Sequence, residues 1–92
     1  MTKRKIVLFS KSGYSSAQDA LLESFLANPP AIFCAVGIDC QKWEDAMDFL
    51  CETRGGDYLS VVTTSHPDES VEEVISFANN WPGNGEVISV TA

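Results

Sequence analysis

The sequence predicts a small α/β domain: a four-stranded, mostly parallel sheet flanked by three helices, in the order β-α-β-α-β-α-β. Short runs of continuous apolar or β-branched residues alternate with longer stretches in which apolar residues recur every three or four positions. Residues 31–38, Ala-Ile-Phe-Cys-Ala-Val-Gly-Ile, are almost wholly apolar, as in a strand covered on both faces. A chain of 92 residues suits one domain, 1–92.

The first strand is expected over Lys5–Phe9, an apolar run behind Lys3-Arg4-Lys5. A helix is expected over Ser15–Asn28, where Ala17, Leu21, Leu22, Phe25 and Leu26 form one stripe. Ser15 or Ser16 would cap it, with Gln18 or Asp19 closing a capping box, and Pro29-Pro30 would end it. The second strand, Ala31–Ile38, should be central. Asp39 stands at the N-cap of a second helix, Gln41–Thr53, which would bury Trp43, Ala46, Met47 and Leu50 and turn Glu44, Asp45, Asp48 and Glu52 outward. Gly55-Gly56 stops it.

Tyr58–Thr64 is aromatic and β-branched, which predicts a third strand. Ser65-His66-Pro67-Asp68 would open a third helix over Asp68–Trp81, burying Val71, Val74, Ile75, Ala78 and Trp81. Its first turns carry Asp68, Glu69, Glu72 and Glu73, which suits the positive end of the helix dipole. Glu86–Thr91 is a last strand, short and alternating, expected at an edge and open to either direction. The expected strand order is 2-1-3-4.

Charge narrows the function classes. The net charge is −7, and from Ser12 onward only Lys42 and Arg54 oppose all thirteen acidic residues. A nucleic-acid binder needs a basic face, so that class is disfavoured. The acidic helices suit a basic protein partner, or simply solubility. No apolar run reaches the ~20 residues of a membrane span, and no signal peptide is evident, so a cytoplasmic location is expected. Cys34, Cys40 and Cys51 form no C-x-x-C pair, and a single histidine offers no zinc spacing; no metal or cofactor is expected. The chain is expected as a monomer, or as a dimer paired through an exposed edge of the last strand.

Ligands of open α/β sheets bind beyond the carboxyl ends of the strands. Three loops should meet there. Ser10-Lys11-Ser12-Gly13-Tyr14-Ser15-Ser16 could cradle an anion, with Ser10, Lys11, Ser12, Gly13, Ser15 and Ser16 around it; it could equally be a glycine turn whose serines cap a helix. Asp39 and Cys40 begin the second loop, where a helix N-terminus would activate a thiol. His66 in the third is the one imidazole base. Plain alternatives are an N-cap for Asp39, a first-turn residue for Cys40 and a helix-start turn for His66.

The first turn resembles three known loops. Phe9, Gly13, Ser15 and Ser16 match the phosphate-wrapping loop of cellobiose-type IIB domains of the sugar phosphotransferase system. Ser10 stands where those domains have their nucleophilic cysteine, so the resemblance implies the loop without phosphocysteine chemistry. Phe9-Ser10-Lys11-Ser12 is similar to the lead-in of a glutaredoxin site, but Tyr14-Ser15-Ser16-Ala17 supplies neither redox cysteine. Ser10-x-Ser12-Gly13-x-Ser15 resembles the flavodoxin phosphate loop, in a chain too short for the segments that clamp a flavin. No family is recognised across the whole length. The functional expectation is therefore a non-catalytic binding or regulatory module, immunity- or inhibitor-like, with an anion- or nucleotide-phosphate-binding domain as the alternative.

Overall fold

The structure, a computed structural model, describes residues 3–92. Seven main elements follow one another: β1 (Lys5–Ser10), α1 (Asp19–Leu26), β2 (Ile32–Gly37), α2 (Cys40–Arg54), β3 (Val62–His66), α3 (Val71–Asn79) and β4 (Val87–Thr91). Short 3-10 turns, Ser16–Gln18 and Gly56–Ser60, precede α1 and β3. The four strands are all parallel, in the order β3-β2-β1-β4.

That order corrects the expected 2-1-3-4, and the sequence explains why. A strand between two neighbours and two helical layers must be apolar throughout. β1 and β2 are buried along nearly their whole length, whereas β3 (Val-Thr-Thr-Ser-His) and β4 are half exposed. Hydroxyl-rich β3 belongs at an edge, and β4 takes the opposite edge in the parallel direction.

The pleat divides the core into two clusters. Ile6, Leu8, Phe33 and Ala35 face α1 and α2, meeting Leu22, Leu26, Trp43 and Met47. Val7, Ile32, Cys34 and Val36 face α3, meeting Val74 and Ala78. The chain thus steps β1-α1-β2-α2-β3 across one face, then returns over the other through α3 to reach β4.

Several boundaries differ from expectation. Residues 58–60, expected in the third strand, lie in the 3-10 turn after α2, where the Tyr58 ring stacks under the Arg54 guanidinium at 5.2 Å. α1 starts four residues late and carries no capping box: neither Ser15 nor Gln18 makes a side-chain cap bond. α3 starts at Val71 rather than Asp68, because Ser70 and Glu73 form a reciprocal capping box there.

The basic N-terminus has a structural use. Arg4 donates to the carbonyls of Phe25 and Asn28 at the end of α1, at 3.1 and 2.8 Å. Lys5, only 2% exposed, donates to the carbonyls of Trp81 and Gly83 beyond α3, at 2.5 and 3.1 Å. Helix C-termini leave carbonyls without intrahelical donors, and a cation also complements the dipole there. Gly85 lets this corner close: a Cβ on it would lie 1.6 Å from the Lys3 carbonyl oxygen.

Lys5→Met keeps the aliphatic stem and strands both carbonyls. It is expected to destabilise the fold by about 1–3 kcal/mol in urea unfolding. Gly85→Ala should cost more, since backbone must move.

Candidate functional site

The carboxyl ends of the strands carry the loops singled out above. Because α1 and α3 lie on opposite faces, the connections flanking β1 and β4 diverge, and the Ser10–Ser16 loop sits at this switch point.

Ser10 is buried, and its hydroxyl accepts a hydrogen bond from the Trp43 indole N–H at 2.9 Å. Lys11, Ser12, Ser15 and Ser16 are exposed. Gly13 has φ +87°, a conformation that favours glycine, and is packed against Asp39: a Cβ would lie 2.8 Å from Asp39 Oδ2. The same Oδ2 accepts the Tyr14 backbone N–H at 3.1 Å. A carboxylate from the chain itself therefore occupies one donor of the loop and puts a negative charge beside it.

Asp39 reaches the loop by an unusual route. It has φ +58°, the left-handed region that Asp tolerates better than most residues. Its carbonyl accepts the Trp43 N–H at 3.0 Å and so opens α2, but its side chain makes no capping bond. The expected N-cap is thus met by the backbone alone.

Tyr14 joins the three elements. Its hydroxyl donates to Asp19 Oδ1 at the start of α1, and its ring meets Trp43 edge-on at 5.3 Å. The hydrogen bond to Asp19, burial and the negative charge of Asp19 together push the phenol up to about 12. Beside Tyr14 an open groove of about 370 Å³ runs along α2, lined by Asp19, Lys42, Asp45, Ala46, Phe49 and Leu50. Phe49 is 66% exposed.

Cys40, at the first position of α2, is 4% exposed and packs in the α1–α2 core. Burial pushes the Cys34 and Cys51 thiols up, which keeps them protonated and unreactive. His66 is 7% exposed at the end of β3 and stacks edge-on against Phe77. Its Nδ1 faces Glu69 Oε1 and its Nε2 faces Thr64 Oγ1, both at 2.9 Å. Asp39, Cys40 and His66 therefore do not form a hydrogen-bonded constellation. Carboxylate, imidazole and hydroxyl do line up at Glu69, His66 and Thr64, under the Phe77 ring, where they tie β3 to the segment leading into α3. Among the described residues no group of three His, Cys, Asp or Glu side chains is placed to hold a metal ion, and no helix is long and apolar enough to cross a membrane.

A family model described as "Domain of unknown function (DUF7684)" matches residues 1–89. The chain belongs to that family. No curated protein and no solved structure matches it.

In this DUF7684 member, sequence reasoning missed Tyr14, Asp19, Thr64, Glu69 and exposed Phe49. Thr64 and His66 carried a signal, since residues two apart on a strand share a face. Phe49 carried another: it lies outside the apolar stripe of α2, between Asp48 and Glu52.

Gly13→Ala adds left-handed strain and a collision with Asp39, and should cost about 1–3 kcal/mol in urea unfolding. Asp39→Asn retains an acceptor and tolerance of the left-handed region, and should cost less than about 1 kcal/mol. A Tyr phenol raised in the fold stays protonated when the unfolded chain ionises. Its contribution is complete below pH 10, the usual tyrosine value, and is lost as pH rises through about 12. Wild type should therefore lose stability over that window more steeply than Tyr14→Phe, and the variant should lack the late phenolate absorbance step.

Proposed function

We propose that this protein is a non-catalytic binding module that docks a basic protein partner on the outer face of α2. The observation that carries the reading is Phe49: a large aromatic, 66% exposed, on a helix face shared with Asp45 and Glu52 and next to Asp48. An exposed aromatic beside an apolar groove is a suitable anchor, and the acidic surround selects a partner bearing Lys or Arg around an apolar side chain. The same surround repels nucleic acid. α3 carries Glu72 and Glu73 on the opposite face of the sheet, so one compact footprint uses α2 alone. An inhibitor- or immunity-type role is the concrete form of this reading, because it needs a rigid surface and no reacting group.

The alternative, an anion or nucleotide-phosphate site at Ser10–Ser16, has less support, because the Asp39 carboxylate already takes the Tyr14 amide. Shifts in the Ser12–Ser16 amide resonances on titration with inorganic phosphate or nucleotide would restore it.

The test compares proteins captured from cell lysate by wild type, by Phe49→Ser and by the double variant Asp45→Lys/Asp48→Lys. Each changed residue is exposed, so circular dichroism should be unaltered. The reading expects a captured partner whose recovery falls at least about ten-fold in both variants and with rising salt. An identical captured set in all three proteins overturns it.

A further inference from the structure

Among the described residues, no strand pairs with the outer edge of β4. Three bonds fix which of its backbone groups are used: Lys5 N–H to Glu86 carbonyl, Ala92 N–H to Phe9 carbonyl and Lys11 N–H to Ala92 carbonyl. In a parallel ladder alternate residues bond one neighbour, so Glu86, Ile88, Val90 and Ala92 face β1. Val87, Ser89 and Thr91 therefore turn their N–H and carbonyl groups outward. Among the described residues none of these six groups has a partner.

We infer that β4 pairs with β4 of a second copy, antiparallel about a two-fold axis at Ser89, joining the two sheets into one of eight strands. Four features of the edge carry this. The outward residues are odd in number and symmetric about Ser89. Antiparallel pairing then sets Val87 against Thr91 of the second copy, Ser89 against Ser89, and Thr91 against Val87. Each is a hydrogen-bonded pair, so all outward groups of both copies are satisfied.

The side chains agree with that register. Ile88 falls opposite Val90 of the second copy, on the face where both already pack against the α1–α2 core. The ends agree as well: Glu86, before β4, approaches the end of the other copy's β4, beside which Lys11 lies.

β4 also lacks the features that keep edges apart. Val-Ile-Ser-Val-Thr contains no charge and no proline. The opposite edge differs: β3 turns outward only Thr63 and Ser65, and the Ser65 hydroxyl is tied to Gln41 of α2 at 3.1 Å. A two-fold pairing uses each β4 once, so assembly stops at the dimer. α2 covers the β2–β3 side, so the surface proposed for the partner stays open and the two proposals can fail separately.

Sedimentation equilibrium across a concentration series should give wild type a mass of twice 10.0 kDa. Ser89→Pro removes an outward N–H and none of the β1 bonds. It should weaken dimerisation at least about ten-fold while the far-UV spectrum stays wild-type. Ser89→Lys, with like charges opposed across the axis, should do the same and guards against a folding defect in the proline variant. Ser89→Cys should yield a reductant-sensitive covalent dimer under mild oxidation, since hydrogen-bonded pairs lie ~5.5 Å apart at Cα, within disulfide reach. A wild type of 10.0 kDa at every concentration, or a dimer that survives both disruptive variants and is not cross-linked through Ser89→Cys, overturns the inference.

Discussion

Strand β1 is the constraint on which the other elements depend. It is hydrogen-bonded on both sides, to β2 and β4, and both layers of helices pack on its alternating side chains. Its N-terminal end adds a second constraint. Arg4 and Lys5 are consecutive, so the pleat sends them to opposite faces, where Arg4 closes the end of α1 and Lys5 ties down the loop that follows α3. Lysine is rarely so buried, and Lys5 is tolerated there because two carbonyls would otherwise lack donors. The charge at the start of the first strand is thus part of the packing.

At the other end of β1 the loop is knitted rather than open. Ser10 to Trp43, Asp39 to Tyr14, and Tyr14 to Asp19 are three hydrogen bonds linking β1, α2 and α1 across one corner. They make the Ser10–Ser16 turn a fixed joint, and they hold Tyr14 as one wall of the groove along α2. Rigidity is what a docking surface requires, because a preformed anchor loses little conformational freedom on association. On the opposite face, Glu69, His66 and Thr64 fasten the edge strand β3 to the approach of α3.

Much of the architecture was legible because it rests on local pattern. The apolar run Ile32–Val36 signalled a central strand, and the periodic stripes of α1, α2 and α3 signalled helices, since periodicity reports burial directly. The strand order was not read, although the hydroxyls of β3 pointed to an edge. The expected cap at Ser15 is not made, because the chain enters α1 through a 3-10 turn at Ser16–Gln18, and the Asp19 carboxylate, the other expected capping-box acid, takes the Tyr14 hydroxyl instead. Likewise Ser70 rather than Asp68 opens α3, because β3 extends through His66 and leaves only a short turn before the capping box.

By itself the sequence determined the alternation of elements, a mostly parallel sheet and the acidic excess. Each follows from residue type and spacing. It marked β2 as covered on both faces, yet the expected order 2-1-3-4 set that strand at an edge, and the structure places it inside. Only the tertiary structure decided where the chemistry-bearing groups went. Asp39 could cap its own helix or reach a loop twenty-five residues away, and a left-handed backbone at one residue chose the loop. His66 could face a crevice or a neighbour, and the register of β3 beneath α3 gave it Thr64 and Glu69. The Asp39 contact joins segments distant in sequence, and the local partners of His66 are fixed only by the packing of β3 beneath α3, so both exist only once the sheet has assembled.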